Sequence, residues 1–96
     1  MTTQQVLDIL KHFKTEAGSE YGIASLGLFG SFARNQACPE SDVDVVVTLN
    51  AVDPFRMVHL REALEQRLGM PVDLVRLRPT MNPLLRERIE RDAIYV

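Results

Sequence analysis

The chain has 96 residues, 46% hydrophobic and 25% charged, with 11 Lys+Arg against 13 Asp+Glu for a net charge of −2. That length is one domain; the composition is not that of a disordered chain, and duplex nucleic acid as a ligand would call for a basic excess that is missing. No apolar run approaches the ~18 residues of a membrane span, the single Cys38 allows no internal disulfide, and Met1-Thr2-Thr3-Gln4-Gln5 lacks the basic-then-apolar pattern of a secretory signal, so a cytoplasmic protein is expected.

Thr2-x-x-Gln5 has the form of a capping box, and Val6, Ile9/Leu10, Phe13 and Ala17 follow at helical spacing, with Gly18 read as the helix end. Ile23 to Phe29, apolar and bounded by Gly22 and Gly30, reads as a buried strand. A polar stretch from Asn35 to Ser41 contains Pro39, which has no place in a central strand. Asp42-Val43-Asp44-Val45-Val46-Val47-Thr48 is β-branched and predicts a second strand.

Asp53-Pro54 opens the next helix with a capping side chain and a proline at the first helical position. Met57, Leu60, Leu64 and Leu68 form its apolar stripe, Gly69 ends it, and Pro71 prevents its return. Val72 to Leu77 is a third strand, and a last helix starting between Thr80 and Pro83 buries Leu84/Leu85 and Ile89. Alternating strands and helices predict an α/β sandwich, a small mixed sheet of about three strands packed with about four helices in a single domain, 1–96.

The chemistry concentrates in Gly30-Ser31 and, ten residues on, Asp42-Val43-Asp44. Gly30 lets backbone approach a ligand and tolerates positive φ. Ser31 is read as the N-cap of the short segment Phe32-Ala33-Arg34, whose free N–H groups would attract phosphate. Asp42 and Asp44, two apart on a strand, project from one face, and like charges so close repel unless protonated or bridged by a cation. A bare Asp-x-Asp is commonly the polar face of an edge strand, but Val45-Val46-Val47 is apolar on both faces, as in a buried strand whose acids sit at a sheet rim, facing a cleft. Mg²⁺ suits such carboxylates, taking its other ligands from water and phosphates. Asp73 is the lone charge in Val72-Asp73-Leu74-Val75, and if its strand neighbours the Asp42/Asp44 strand the three acids meet. A phosphate turn beside a cation-binding cluster describes nucleotidyl transfer by metal-ion catalysis.

Phe29-Gly30-Ser31-Phe32-Ala33-Arg34, Ser41-Asp42-Val43-Asp44-Val45, Pro71-Val72-Asp73-Leu74-Val75 and the tail Glu87-Arg88-Ile89 through Val96 resemble the minimal nucleotidyltransferases of the DNA polymerase β-like superfamily, in particular the antitoxin partners of HEPN-domain toxins. The resemblance covers nearly the whole chain; Phe32 and Asn35 stand where many members carry Arg and Gly. It implies transfer of AMP from ATP, with pyrophosphate leaving, to a hydroxyl (a tyrosine is expected) of a cognate RNA-cleaving HEPN toxin, which is thereby silenced. Asp42 and Asp44 would hold Mg²⁺ on the nucleotide phosphates, Asp73 would complete a second metal position or act as base, and Gly30, Ser31 and Arg34 would bind the nucleotide.

Two other readings stand beside it. One is a silent binding antitoxin that blocks the toxin by complex formation. The other is nucleotidyl transfer to a small molecule such as an aminoglycoside, against which the size argues, because few residues remain for an acceptor-binding domain. Arg34 either reaches a phosphate or pairs with Glu40 or the acid cluster. His12 and His59 read as surface residues, Cys38 as an incidental thiol, the charges of Arg86 to Arg91 as a solvated helix face, and Phe55, Met57 and Val58 as a hint of a protein-binding surface.

Overall fold

The computed structural model describes residues 1–38, 41–51 and 53–96. The first helix, α1 (Thr3–Tyr21), begins with the predicted box: the Thr2 hydroxyl accepts from the Gln5 N–H at 3.1 Å, and the Gln5 side chain accepts from the Thr2 N–H at 2.8 Å. Val6, Leu10, Phe13 and Ala17 are buried along one side. The helix does not end at Gly18. It runs on to Gly22, whose left-handed backbone (φ +66°) lets its N–H reach the carbonyls of Gly18 and Ser19. The extra turn stacks Tyr21 on Phe13, ring centroids 5.7 Å apart, and this packing outweighs the poor helix propensity of Gly18. Gly22→Ala is expected to cost roughly 1–2 kcal/mol, because a Cβ at that φ strains against the backbone. A thermal melt would then shift down by at least ~4 °C; an unchanged melt would contradict the capping role.

Three strands follow the predictions within a residue or two: β1 (Ile23–Phe29), β2 (Val43–Leu49) and β3 (Val72–Arg76). A fourth, β4 (Ile94–Tyr95), corrects the count of three. It pairs with β1 through Gly27↔Tyr95 and Leu28↔Ile94, and two residues are too few to show a strand's alternation in sequence. The sheet order is β3-β2-β1-β4, antiparallel on both sides of β1 and parallel between β2 and β3. The Asp-x-Asp strand is therefore central, and the edge-strand reading falls away.

Each face of the sheet has its own core. On one, Leu26, Leu28, Val43, Val45 and Val47 pack with α1 and with Leu60, Leu64 and Leu68 of α3 (Pro54–Leu68). On the other, Phe29 and Val46 pack with Met81 and with Ile89 of α4 (Pro83–Asp92). Thus Val45-Val46-Val47 is apolar on both sides because both sides are covered. Helix α3 is capped as predicted, Asp53 accepting from the Phe55 N–H at 3.0 Å and Gly69 closing it at φ +67°. In α4, Asn82 caps and Pro83 starts the first turn, a phase that turns Leu85 and Ile89 inward and leaves Leu84 72% exposed, contrary to the prediction for Leu84. Among the described residues, no helix is long and apolar enough to cross a membrane.

Candidate active site

Parallel pairing of β2 with β3 sets Asp44 directly opposite Asp73. Side chains opposed across neighbouring strands share a face, and here it is the face carrying Val46 and Val75. Asp42 immediately precedes β2, in phase with Asp44 and exposed, as is Asp73; Asp44 is half-buried. The three acids predicted from sequence therefore lie at one rim of the sheet.

On the other side of β2, Phe29 is the register partner of Asp44, so the next residue, Gly30, abuts that carboxylate. A Cβ at Gly30 would stand 2.0 Å from Asp44 Oδ2 and 2.9 Å from its Cγ, and the glycine has φ +74°. Both the contact and the backbone would strain any larger residue there. From this bend the chain enters α2 (Gly30–Ala33). Ser31 is not the N-cap: Phe29 occupies that position with no side-chain cap bond, and Ser31 lies half-buried in the first turn. The left-handed bend at Gly30 starts the helix two residues earlier than a serine cap would. Asn35 takes the left-handed conformation, φ +57°, which asparagine tolerates better than most side chains.

Burial pushes the Asp44 carboxyl above the ordinary carboxylate range, the Asp73 charge adds to the rise and Asp42 adds less, while Arg88 and Arg34 oppose it. Among the described residues, no three carboxylate, imidazole or thiol groups are gathered closely enough to form a ready metal cage. The acids share a face and feel one another without converging on a point, as mutual repulsion favours.

Arg34 pairs with Asp92, Nη1 to Oδ2 at 2.8 Å, and not with the acid cluster; its other suggested partner, Glu40, lies outside the described residues, as does Pro39. The sequence reading gave Asp92 no role and placed Arg88 on a solvated helix face, where it is indeed exposed. Arg88 lies four residues after the outward-facing Leu84, and its charge still acts on Asp44. His12, His59 and Cys38 are exposed, as expected.

A hollow of about 480 Å³ lies elsewhere, between the N-termini of α3 and α4, lined by Met57, Leu74, Arg76, Arg78 and Leu85 among others. None of the three acids lines it, so the expectation that they face a cleft is corrected: Asp42 and Asp73 are exposed at the sheet rim.

Residues 8–96 match the family model described as polymerase beta nucleotidyltransferase. The chain belongs to that family. This nucleotidyltransferase is 35% identical over 96 residues to a Methanocaldococcus jannaschii protein provisionally named a protein adenylyltransferase, covering 99% of this chain and 98% of the relative. It is 31% identical to the protein adenylyltransferase MntA of Thermococcus cleftensis, covering 100% and 97%. Its fold matches a chain in the solved complex of a tri-AMPylated Shewanella oneidensis HEPN toxin with its MNT antitoxin, with a TM-score of 0.61, 20% identity, and coverage of 97% of this nucleotidyltransferase and 66% of that chain.

Proposed function

We propose that this nucleotidyltransferase is an antitoxin that transfers AMP from ATP to a hydroxyl of a HEPN-domain toxin. The relatives named above support the activity and the partner. The observation that carries the reading is the register pair Asp44↔Asp73 beside Gly30, which sets paired carboxylates against a left-handed backbone turn that strongly favours glycine.

The residues fit Mg²⁺: all donors are hard carboxylate oxygens, and the repulsion felt by Asp44 is what a divalent cation relieves. Asp42 and Asp44 would hold it, and when bound it neutralises charge on the nucleotide phosphates. Gly30, Ser31 and Arg34 orient the triphosphate. The acceptor oxygen attacks the α-phosphorus, the bond to the β-phosphate oxygen breaks, and pyrophosphate leaves. Asp73, on the neighbouring strand, takes the hydroxyl proton. A tyrosine acceptor, with an ordinary pKa of about 10, gains most from such help at neutral pH. The open rim suits an acceptor carried on another protein, since Asp42 and Asp73 are both exposed.

Incubating the chain with a cognate HEPN-domain toxin, ATP and Mg²⁺ is expected to add AMP mass to the toxin, and Asp42→Asn to prevent it. A toxin that stays unmodified yet is inhibited equally by wild type and Asp42→Asn would establish blocking by binding alone. Mg²⁺ with ATP at about 100 times Kd is expected to stabilise the native state by about 2.7 kcal/mol, raising the melting temperature by about 10 °C or more. No shift at saturating nucleotide would contradict an intact site.

A further inference from the structure

Asp92 breaks two local rules. Its side chain is only 4% exposed, and it is an acid in the last turn of α4, where the helix dipole disfavours negative charge. Two arginines hold it there. Arg34 donates from Nη1 to Oδ2 at 2.8 Å; Arg91 donates from Nε to Oδ1 at 2.9 Å and from Nη2 to Oδ2 at 3.2 Å. These bonds keep its carboxyl below the ordinary carboxylate range, the Arg91 bond contributing most.

The Arg34 link is the informative one, because it joins residues 58 apart in sequence and ties the segment after α2 to α4. α2 has four residues and follows the Gly30 bend, so it has little stability of its own. The far end of the link is firm: Ile89 is buried in the core, and the chain after Asp92 enters β4, with the Val96 N–H bonded to the Leu26 carbonyl at 2.9 Å. The Arg34 guanidinium also donates from Nε to Gln36 Oε1 at 3.2 Å. Among the described residues, its Nη2 has no partner and keeps its donors for a ligand.

We propose that Asp92 is a positioning residue for nucleotide binding, holding the Arg34 guanidinium at the Gly30 rim so that its remaining amino group meets the phosphates of ATP. This rests on the reading above that Arg34 contacts the nucleotide. Arg91 backs the carboxylate from the solvent side and keeps it ionised. An arginine fixed in advance gives up less side-chain entropy when the phosphate arrives, so the gain falls on binding.

The test is a double-mutant cycle on the full chain, reading the Kd for Mg²⁺·ATP by calorimetry and KM and kcat for toxin modification. Asp92→Asn is expected to raise Kd and KM about five- to tenfold with kcat within about twofold, the pattern of a lost ground-state contact. Asp92→Glu, which keeps the charge, is expected to retain most of the affinity. In an Arg34→Ala background, Asp92→Asn should have no further effect on Kd. The proposal is overturned if Asp92→Asn weakens binding by the same factor with and without Arg34, or if it lowers only the melting temperature and leaves Kd unchanged. Wild-type chain that binds no ATP would overturn the nucleotide reading itself, and this inference with it, whereas binding by wild type with unaffected Asp92 variants would overturn the inference alone.

Discussion

Asp44→Asn is expected to abolish AMP transfer, by at least about a thousandfold, while leaving the protein folded and more stable at neutral pH. The rate loss follows because an amide replaces a charged ligand where phosphate charge must be balanced, an effect of several kcal/mol in metal-assisted transfer. The stability gain has a different origin. In the folded chain, burial and the charges of Asp73 and Asp42 hold the Asp44 carboxyl above its ordinary value. Between the unfolded and folded values the native state binds more protons, so stability falls as pH rises through that window and stays reduced above it. The amide of the variant never ionises, so the variant escapes this loss. Melts of the metal-free proteins should therefore favour the variant at neutral pH, with the difference vanishing in acid below the ordinary carboxylate range, about pH 3.9. Intact-mass rates on the toxin check the other half. Residual transfer within about tenfold of wild type would remove Asp44 from the chemistry.

Gly30→Ala is expected to be the most damaging single methyl in the chain. The left-handed backbone alone costs about 1–2 kcal/mol, and the new Cβ would overlap Asp44 Oδ2 at 2.0 Å. The central strand holds the Asp44 backbone between β1 and β3, so relief must come from turning the carboxylate away from its place beside Gly30. A loss above ~2 kcal/mol, or a drop of about 10 °C or more in melting temperature, is expected together with loss of nucleotide binding. The same substitution in an Asp44→Ala background should cost less, because the 2.0 and 2.9 Å contacts disappear and only backbone strain and a 3.2 Å contact to the Asp44 Cβ remain. Equal losses in both backgrounds would show that the carboxylate is not what the glycine accommodates.

What could be read from sequence was local. The Thr2/Gln5 box, Asp53-Pro54 and Gly69 announce helix ends because capping is decided within a turn. The bounded apolar run Ile23–Phe29 matched its strand. Even the acid site was legible in part, since a same-face pair followed by Val45-Val46-Val47 marks the rim of a covered strand. The misses were decided by tertiary contacts. Gly18 yields to Gly22 because Tyr21 finds Phe13. Ser31 loses its capping role to the bend at Gly30, itself set by the nearness of Asp44. Leu84 turns outward through the phase that Asn82 imposes, and β4 pairs where Gly27 leaves room for the Tyr95 ring, which a Cβ there would approach to 2.9 Å. The Arg34–Asp92 pair spans 58 positions, and nothing near either residue announces it.

The most direct test is a crystal of the chain with Mn²⁺ in place of Mg²⁺ and a non-hydrolysable ATP analogue, read by the anomalous signal of the metal. The account predicts a peak ligated by Asp44 together with Asp42 or Asp73, touching phosphate oxygens that rest on the Gly30-Ser31 turn. A peak away from these carboxylates, or a nucleotide seated in the hollow between α3 and α4, would contradict it.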